Sequence, residues 1–256
     1  MFLKGSKMDI DRPYCLSIAG YDPTAGAGVL ADVKTFEMFG VYGMAIITSN
    51  THQTDDQFED VQWVEVEILK NQIEMLMKKY DFKAVKIGLI KDFDSLYQVI
   101  SLLKNLNPAM HILWDPILKS SSGFNFHFKE SIELGFLEEN CSLITPNWNE
   151  FETLWGTDTD VLTKRKLNTS ILLKGGHRKD KNGCDMLYSN GQFFEIAGNS
   201  FYGKSKHGTG CVLSAAITAC LTKGNSLADS CKKAKAYVEQ FILSNDTNLG
   251  YHHDNK

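Results

Sequence analysis

The feature that most constrains this chain is a repeated switch in the spacing of its apolar residues, from the continuous runs of buried strands to the i, i+3, i+4 spacing of helices. Residues 14–20, 42–49, 84–88, 111–115, 141–145 and 170–174 have the composition of short buried strands. Between them, Val29, Val33 and Phe36 share one helical face, as do Val66, Leu69, Ile73, Leu76 and Tyr80. Phe93, Leu96, Ile100 and Leu103 form a third face, and residues 149–155 a fourth helix. Buried strands separated by helices need crossover connections, so the pattern predicts a three-layer α/β/α fold with a mainly parallel central sheet. The rhythm breaks where Met186-Leu187-Tyr188 and Phe193-Phe194 flank Asn190-Gly191, which predicts an antiparallel edge hairpin. Two helices should follow, one on Val212, Ala215, Ala216 and Ala219, the other on Leu227, Cys231, Ala234, Val238 and Phe241. Ser226, with Asp229 three residues on, is the expected cap of the second.

One domain accounts for 256 residues of this pattern, and 43% hydrophobic content supplies its core. The expected division is an N-terminal extension over 1–13, a single domain over 14–245 and a mobile tail over 246–256. A net charge of −4 excludes a globally basic nucleic-acid binder and points to small-molecule ligands. The start is polar after two apolar residues, and no run approaches the roughly 20 apolar residues of a membrane span. A soluble cytoplasmic protein, with neither nucleic acid nor membrane as partner, is the expectation. The cysteines at 15, 141, 184, 211, 220 and 231 contain no C-x-x-C pair, which argues against a zinc knuckle or a disulfide framework.

Chemistry concentrates where strands end. Gly20-Tyr21-Asp22-Pro23-Thr24-Ala25-Gly26-Ala27-Gly28 joins the first strand to the first helix, a place where parallel sheets bind ligands. It is neither a P-loop nor G-x-G-x-x-G, and taken alone it serves equally well as a plain tight connection. His207-Gly208-Thr209-Gly210-Cys211 opens a helix, where glycines let an anion approach the first-turn amides. The helix field would lower the thiol pKa of Cys211 there and favour a thiolate or general base. In Thr145-Pro146-Asn147-Trp148-Asn149-Glu150, Asn147 and Glu150 can hold a hydrated magnesium ion or form a capping box, and the two roles can coexist. Asp115-Pro116 and Lys174-Gly175-Gly176-His177 are weak individually, but they also lie at strand ends.

Together with Ser17-Ile18-Ala19-Gly20, Ala31-Asp32-Val33-Lys34-Thr35 and Lys86-Ile87-Gly88, these segments occur in one order. In that order the chain resembles the hydroxymethylpyrimidine and hydroxymethylpyrimidine-phosphate kinases of thiamine synthesis, in the ribokinase superfamily, over roughly residues 14–244. The resemblance implies a ribokinase-like fold, ATP and Mg2+ as cofactors, and two successive phosphoryl transfers. It leaves a requirement for a monovalent cation open and implies a homodimer. It assigns catalysis to Cys211 with the anion hole of Gly208, Thr209 and Gly210, Cys211 standing where sugar kinases of the superfamily carry an aspartate base. Asp32, Gln53, Gly20, Ala27 and Ile117 would contact the aminopyrimidine. A carboxylate suits its exocyclic amine, and an amide can donate to a ring nitrogen. Lys174, Thr209 and Asn147 would meet the nucleotide, and Asp115 and Glu150 the metal, directly or through water.

The chain departs from the family pattern in several places. Ala25 replaces a usual glycine, Leu30 a usual glutamine and His52 a common alanine. Gly203-Lys204-Ser205-Lys206 stands where threonines are usual, so Lys206 is expected to place positive charge near the phosphates. The stretch between Trp155 and Ile171 is short and is expected to lack a full helix. Pyridoxal kinase activity, and a non-catalytic pyrimidine-binding role, are the competing readings.

Overall fold

The structure, a computed structural model, describes residues 12–119, 123, 126, 133–165, 167–175, 183–198 and 205–253. In chain order its elements are β1 (Tyr14–Tyr21), α1 (Gly28–Met38), β2 (Tyr42–Gln53), β3 (Phe58–Trp63), α2 (Val66–Met77), β4 (Phe82–Ile87) and α3 (Phe93–Leu106). There follow β5 (His111–Trp114), α4 (Leu134–Asn140), β6 (Leu143–Ile144), α5 (Trp148–Trp155), α6 (Asp160–Arg165) and β7 (Ser170–Leu173). Strands β8 (Asp185–Ser189) and β9 (Gln192–Ile196) precede helices α7 (Thr209–Thr222) and α8 (Leu227–Leu243).

The strands form one sheet in the order β3-β2-β1-β4-β5-β6-β7-β8-β9. From β2 to β7 the neighbours are parallel, while β3, β8 and β9 run antiparallel at the two edges. Alternation along each strand gives the sheet two apolar faces. Leu16, Ile18, Val85 and Ile87 pack with Leu69, Ile73, Phe93, Leu96 and Phe151 of α2, α3 and α5. On the other side Ala84, Leu113, Leu143 and Leu172 meet Ala31, Val212, Ala216, Ile217, Ala234 and Phe241 of α1, α7 and α8. The small residues of α7 let it lie close to the sheet, with twelve of its residues buried.

The predicted three-layer architecture is present, as is the hairpin, whose Asn190 and Gly191 take φ of 51° and 77° as a type I′ turn requires. Ser226 caps α8, its hydroxyl accepting from the Asp229 amide. Other expectations need correction. A third antiparallel strand, β3, covers the opposite edge. The stretch between Trp155 and Ile171, expected to lack a full helix, carries the six-residue α6 among its described residues. The segment expected as a mobile tail is held down through residue 252. Asn248 O accepts from His207 N at 2.9 Å, Asn248 Nδ2 donates to Asp55 O at 2.6 Å, and Tyr237 Oη meets His252 Nδ1 at 2.8 Å. Gly176, His177, Gly203, Lys204 and most of the N-terminal extension lie outside the described residues. No helix among the described residues is long and apolar enough to cross a membrane.

Candidate active site

The chain leaves β1 toward β2 on one side and later returns to β4 on the other, so the strand order reverses at β1. A reversal of this kind opens a crevice at the carboxyl end of the strand, where the segment 22–27 begins. Asp22 organises that segment: Oδ1 accepts from Thr24 N at 2.9 Å and from Thr24 Oγ1 at 2.8 Å, and Oδ2 accepts from Ala27 N at 2.9 Å. Oδ2 also lies 2.7 Å from His207 Nε2. Burial pushes the Asp22 carboxyl up, but the hydrogen bonds from His207 and Thr24 outweigh it and hold the group below the usual carboxylate range. An ionised Asp22 only accepts, so His207 carries its proton on Nε2.

This pair ties the first loop to the start of α7, and the backbones touch there. A Cβ on Gly208 would fall 1.9 Å from Gly26 O and 2.9 Å from Ala27 Cα, and its φ of 76° is left-handed. A glycine is required on both counts. Val212 N makes the first bond of α7, to Gly208 O at 2.9 Å, and Gly208 supplies no side-chain cap. The amides of Thr209, Gly210 and Cys211 are therefore the open donors of a helix start, aimed beside the first loop.

Cys211 is the third residue of α7 and its thiol is buried. Burial pushes it up to about 11, with Lys86 and the Gly28 amide pulling the other way and Asp32 and Asp115 adding to the rise. The expected depression is thus reversed, because loss of water outweighs every favourable charge nearby. At rest Cys211 is a neutral thiol.

Around it lies a buried set of charges. Asp32 faces inward from α1, with Oδ1 accepting from Lys86 Nζ and Oδ2 from Ser17 Oγ, both at 2.6 Å, and both partners of the ion pair are fully buried. Burial disfavours the Lys86 charge, but the carboxylate of Asp32 first, and that of Asp115 behind it, outweigh burial and keep the amine protonated. At the end of β5, Asp115 Oδ1 accepts from Lys174 Nζ at 2.8 Å and from Thr145 Oγ1 at 3.1 Å, and Oδ2 from Ser214 Oγ at 2.9 Å. Burial raises Asp115, but Lys174 and Lys86 more than offset it and lower its pKa. Lys174, whose Nζ is 3.5 Å from where a Gly210 Cβ would stand, also approaches Glu150 Oε2 at 3.8 Å.

Asn147 and Glu150 form the capping box of α5: Asn147 Oδ1 accepts from Glu150 N at 3.0 Å and Glu150 Oε2 from Asn147 N at 2.7 Å. Burial pushes Glu150 up to about 7, partly countered by Lys174 and reinforced by Asp115. No group of three or more His, Cys, Asp or Glu among the described residues could cage a metal. The donors suit a magnesium ion that arrives on nucleotide phosphates, keeps most of its water and meets one or two carboxylates.

The remaining expected residues fall as follows. Gly20 is buried near the end of β1, and Ala27 caps α1. Gln53 ends β2, its Nε2 donating at 2.8 Å to Thr51 Oγ1, which in turn donates to Tyr21 O at 2.8 Å. Ile117 is half-buried just after Asp115. Lys206 does not reach toward the helix start: its ammonium bonds Asn245 and Thr247, at the turn after α8. Sequence reasoning gave Lys86 and Ser214 no role of their own. Lys86 reads as one polar residue in a strand, and only its 0% exposure marks it as the partner of Asp32.

Fold and site together place the chain in the ribokinase-like class of small-molecule kinases, with an open helix start packed against the 22–27 loop and a buried set of charges nearby. Comparison with known proteins narrows this. The sequence model of phosphomethylpyrimidine kinase matches residues 22–255. A hydroxymethylpyrimidine/phosphomethylpyrimidine kinase of Aquifex aeolicus is 34% identical over 92% of this chain and 96% of its own length. That of Bacillus subtilis is 31% identical over 93% and 92%. Among solved structures, a phosphomethylpyrimidine kinase from Clostridium difficile superposes with a TM-score of 0.74 at 29% identity, covering 90% of this chain and all of that one. A Staphylococcus aureus pyridoxal kinase in complex with ADP gives 0.76 at 25% identity, covering 93% and 92%. The chain belongs to the phosphomethylpyrimidine kinase family.

Proposed function

We propose that the protein transfers the γ-phosphoryl group of ATP to the hydroxymethyl oxygen of 4-amino-5-hydroxymethyl-2-methylpyrimidine, and then a second one to the resulting monophosphate, in thiamine biosynthesis. The observation that carries the reading is the backbone contact between Gly26-Ala27 and Gly208, which sets a ligand loop against open helix amides. Gln53, Gly20, Ala27 and Ile117 would hold the ring, and its exocyclic amine would donate to Asp32, whose fully buried carboxylate is reached only once the side chains over it move aside. Thr209, Asn147 and Lys174 would meet the nucleotide. A hydrated Mg2+ on the nucleotide, supported by Asp115 and Glu150, would neutralise phosphate charge.

In the transfer, the bond from the hydroxymethyl oxygen to the γ-phosphorus forms as that from the β,γ-bridging oxygen breaks. The amides of Gly208, Thr209, Gly210 and Cys211 take the charge on the transferring group, with the Lys174 ammonium beside Gly210. The Cys211 sulfur accepts a hydrogen bond from the hydroxyl and so shares its proton. Because the thiol is neutral at rest, it orients the oxygen rather than ionising it beforehand, and the proton leaves late to solvent, as a loose transition state allows. The second transfer uses a phosphate oxygen that has no proton to lose.

The working form is taken to be a cytoplasmic homodimer, for which Tyr42 and Ile47, exposed on β2, offer apolar surface. The pyridoxal kinase neighbour, similar over most of the chain, makes pyridoxal the comparison substrate. Mass spectrometry after incubation with Mg-ATP and each alcohol tests the reading. The pyrimidine should yield monophosphate and then pyrophosphate; phosphorylation of pyridoxal alone would reverse the assignment, and mere ATP hydrolysis would remove it.

A further inference from the structure

Lys206 stands two residues before the glycine that opens α7, and its side chain is buried. Its ammonium donates to Asn245 O at 2.7 Å, to Asn245 Oδ1 at 2.9 Å and to Thr247 O. A lysine carries three N–H donors and no acceptor, so these contacts use its whole hydrogen-bonding capacity and leave none for a phosphate. All three acceptors are amide carbonyl oxygens. A buried charge is tolerated only when it is fully hydrogen-bonded, and converging carbonyl oxygens are the type of ligand that a protein gives potassium.

The caged turn reaches both halves of the site. Asn245 Oδ1 also accepts from Thr247 N at 2.8 Å, and Asn245 Nδ2 donates to Leu249 O at 2.9 Å. The Asn248 carbonyl takes the amide of His207, and Leu249 Cδ2 lies 2.8 Å from where a Cβ on Gly26 would stand. The turn thus holds the His207 backbone and packs Leu249 against Gly26. The charge on Lys206 holds its carbonyls converged against their mutual repulsion.

We infer that Lys206 is a tethered monovalent cation: its ammonium fills a carbonyl cage that positions the anion-hole loop, so the protein has no use for added potassium. Deleting the side chain should open a site that K+ or NH4+ fills. The inference rests on the kinase reading only where turnover is measured, and the melting measurement stands without it.

The test measures thermal melting and turnover of the wild type, Lys206→Ala and Lys206→Met in K+, NH4+ or tetramethylammonium chloride at equal ionic strength. The wild type should melt and turn over alike in all three. Lys206→Ala in tetramethylammonium should melt lower and lose about tenfold in rate, the size of one lost charged hydrogen-bonding group. K+ and NH4+ should restore both properties. Lys206→Met, whose side chain fills the cage without charge, should not recover. Wild-type turnover that rises with K+, Lys206→Ala melting alike in all salts or failing to fold even in K+, or equal recovery of Lys206→Met would each overturn the inference. No turnover in any salt, with the melting pattern intact, would refute the kinase reading and leave the cage standing.

Discussion

At Cys211 the position and the charge state point in opposite directions. A helix start favours a thiolate, yet the sulfur is buried and pushed up to about 11. If it orients the hydroxyl by accepting a hydrogen bond, Cys211→Ala should lower kcat by about tenfold to a hundredfold with little change in pyrimidine affinity. Cys211→Ser should keep most of the rate, since a hydroxyl accepts too; a serine variant as poor as alanine would restore the thiolate base. Glu150 makes a pH prediction. Its carboxyl is raised from 4.5 to about 7 by burial, so its contribution to stability is complete below about pH 4.5 and is lost as pH rises through about 7. Wild-type stability in urea should fall by about 1–3 kcal/mol across that window from this group, and Glu150→Gln, which can still cap α5, should remove the fall. An unchanged slope would contradict the assignment. That Asp115, Asn147, Glu150 and Lys174 stand together at strand ends was legible from their positions in the sequence. Their ionisation was not, because it depends on burial and on partners such as Lys86 that lie 54 positions from Asp32 in the chain.

Two glycines with left-handed backbone separate strain from crowding at the level of elements. Gly191, in the β8-β9 turn, has open space around its Cβ position, so Gly191→Ala should cost about 1 kcal/mol of stability and leave turnover intact. Gly208→Ala adds a collision with Gly26 O and should cost more than about 2 kcal/mol or abolish the transfer. Chemical denaturation and steady-state rates check both. An active, stable Gly208→Ala variant would show that the two loops need not touch. Elements with strong periodicity were legible, among them α2, α3, α7, α8 and the hairpin. Strand β3 was not, because no residue of Phe58–Trp63 is buried and the strand carries no buried alternation. The anchored segment after α8 escaped for a related reason: backbone carbonyls and asparagine amides hold it, and none of these leaves an apolar pattern.

Across the whole molecule, two apolar layers fix the sheet, and the sheet's reversal at β1 brings a loop near residue 25 against one near residue 208. The parallel order was legible as a class, since buried strands joined by helices admit little else. The contact between loops more than 180 residues apart was not, because only the layered packing of α1 against α7 creates it. The site therefore depends on the fold as a unit. A crystal structure of the protein with hydroxymethylpyrimidine and a non-hydrolysable ATP analogue measures this most directly. The account predicts the ring between Asp32 and Gln53, with its hydroxymethyl oxygen at Cys211 Sγ and the γ-phosphate on the amides of Gly208 to Cys211. A ring bound elsewhere, or a hydroxymethyl group turned away from the start of α7, would contradict it.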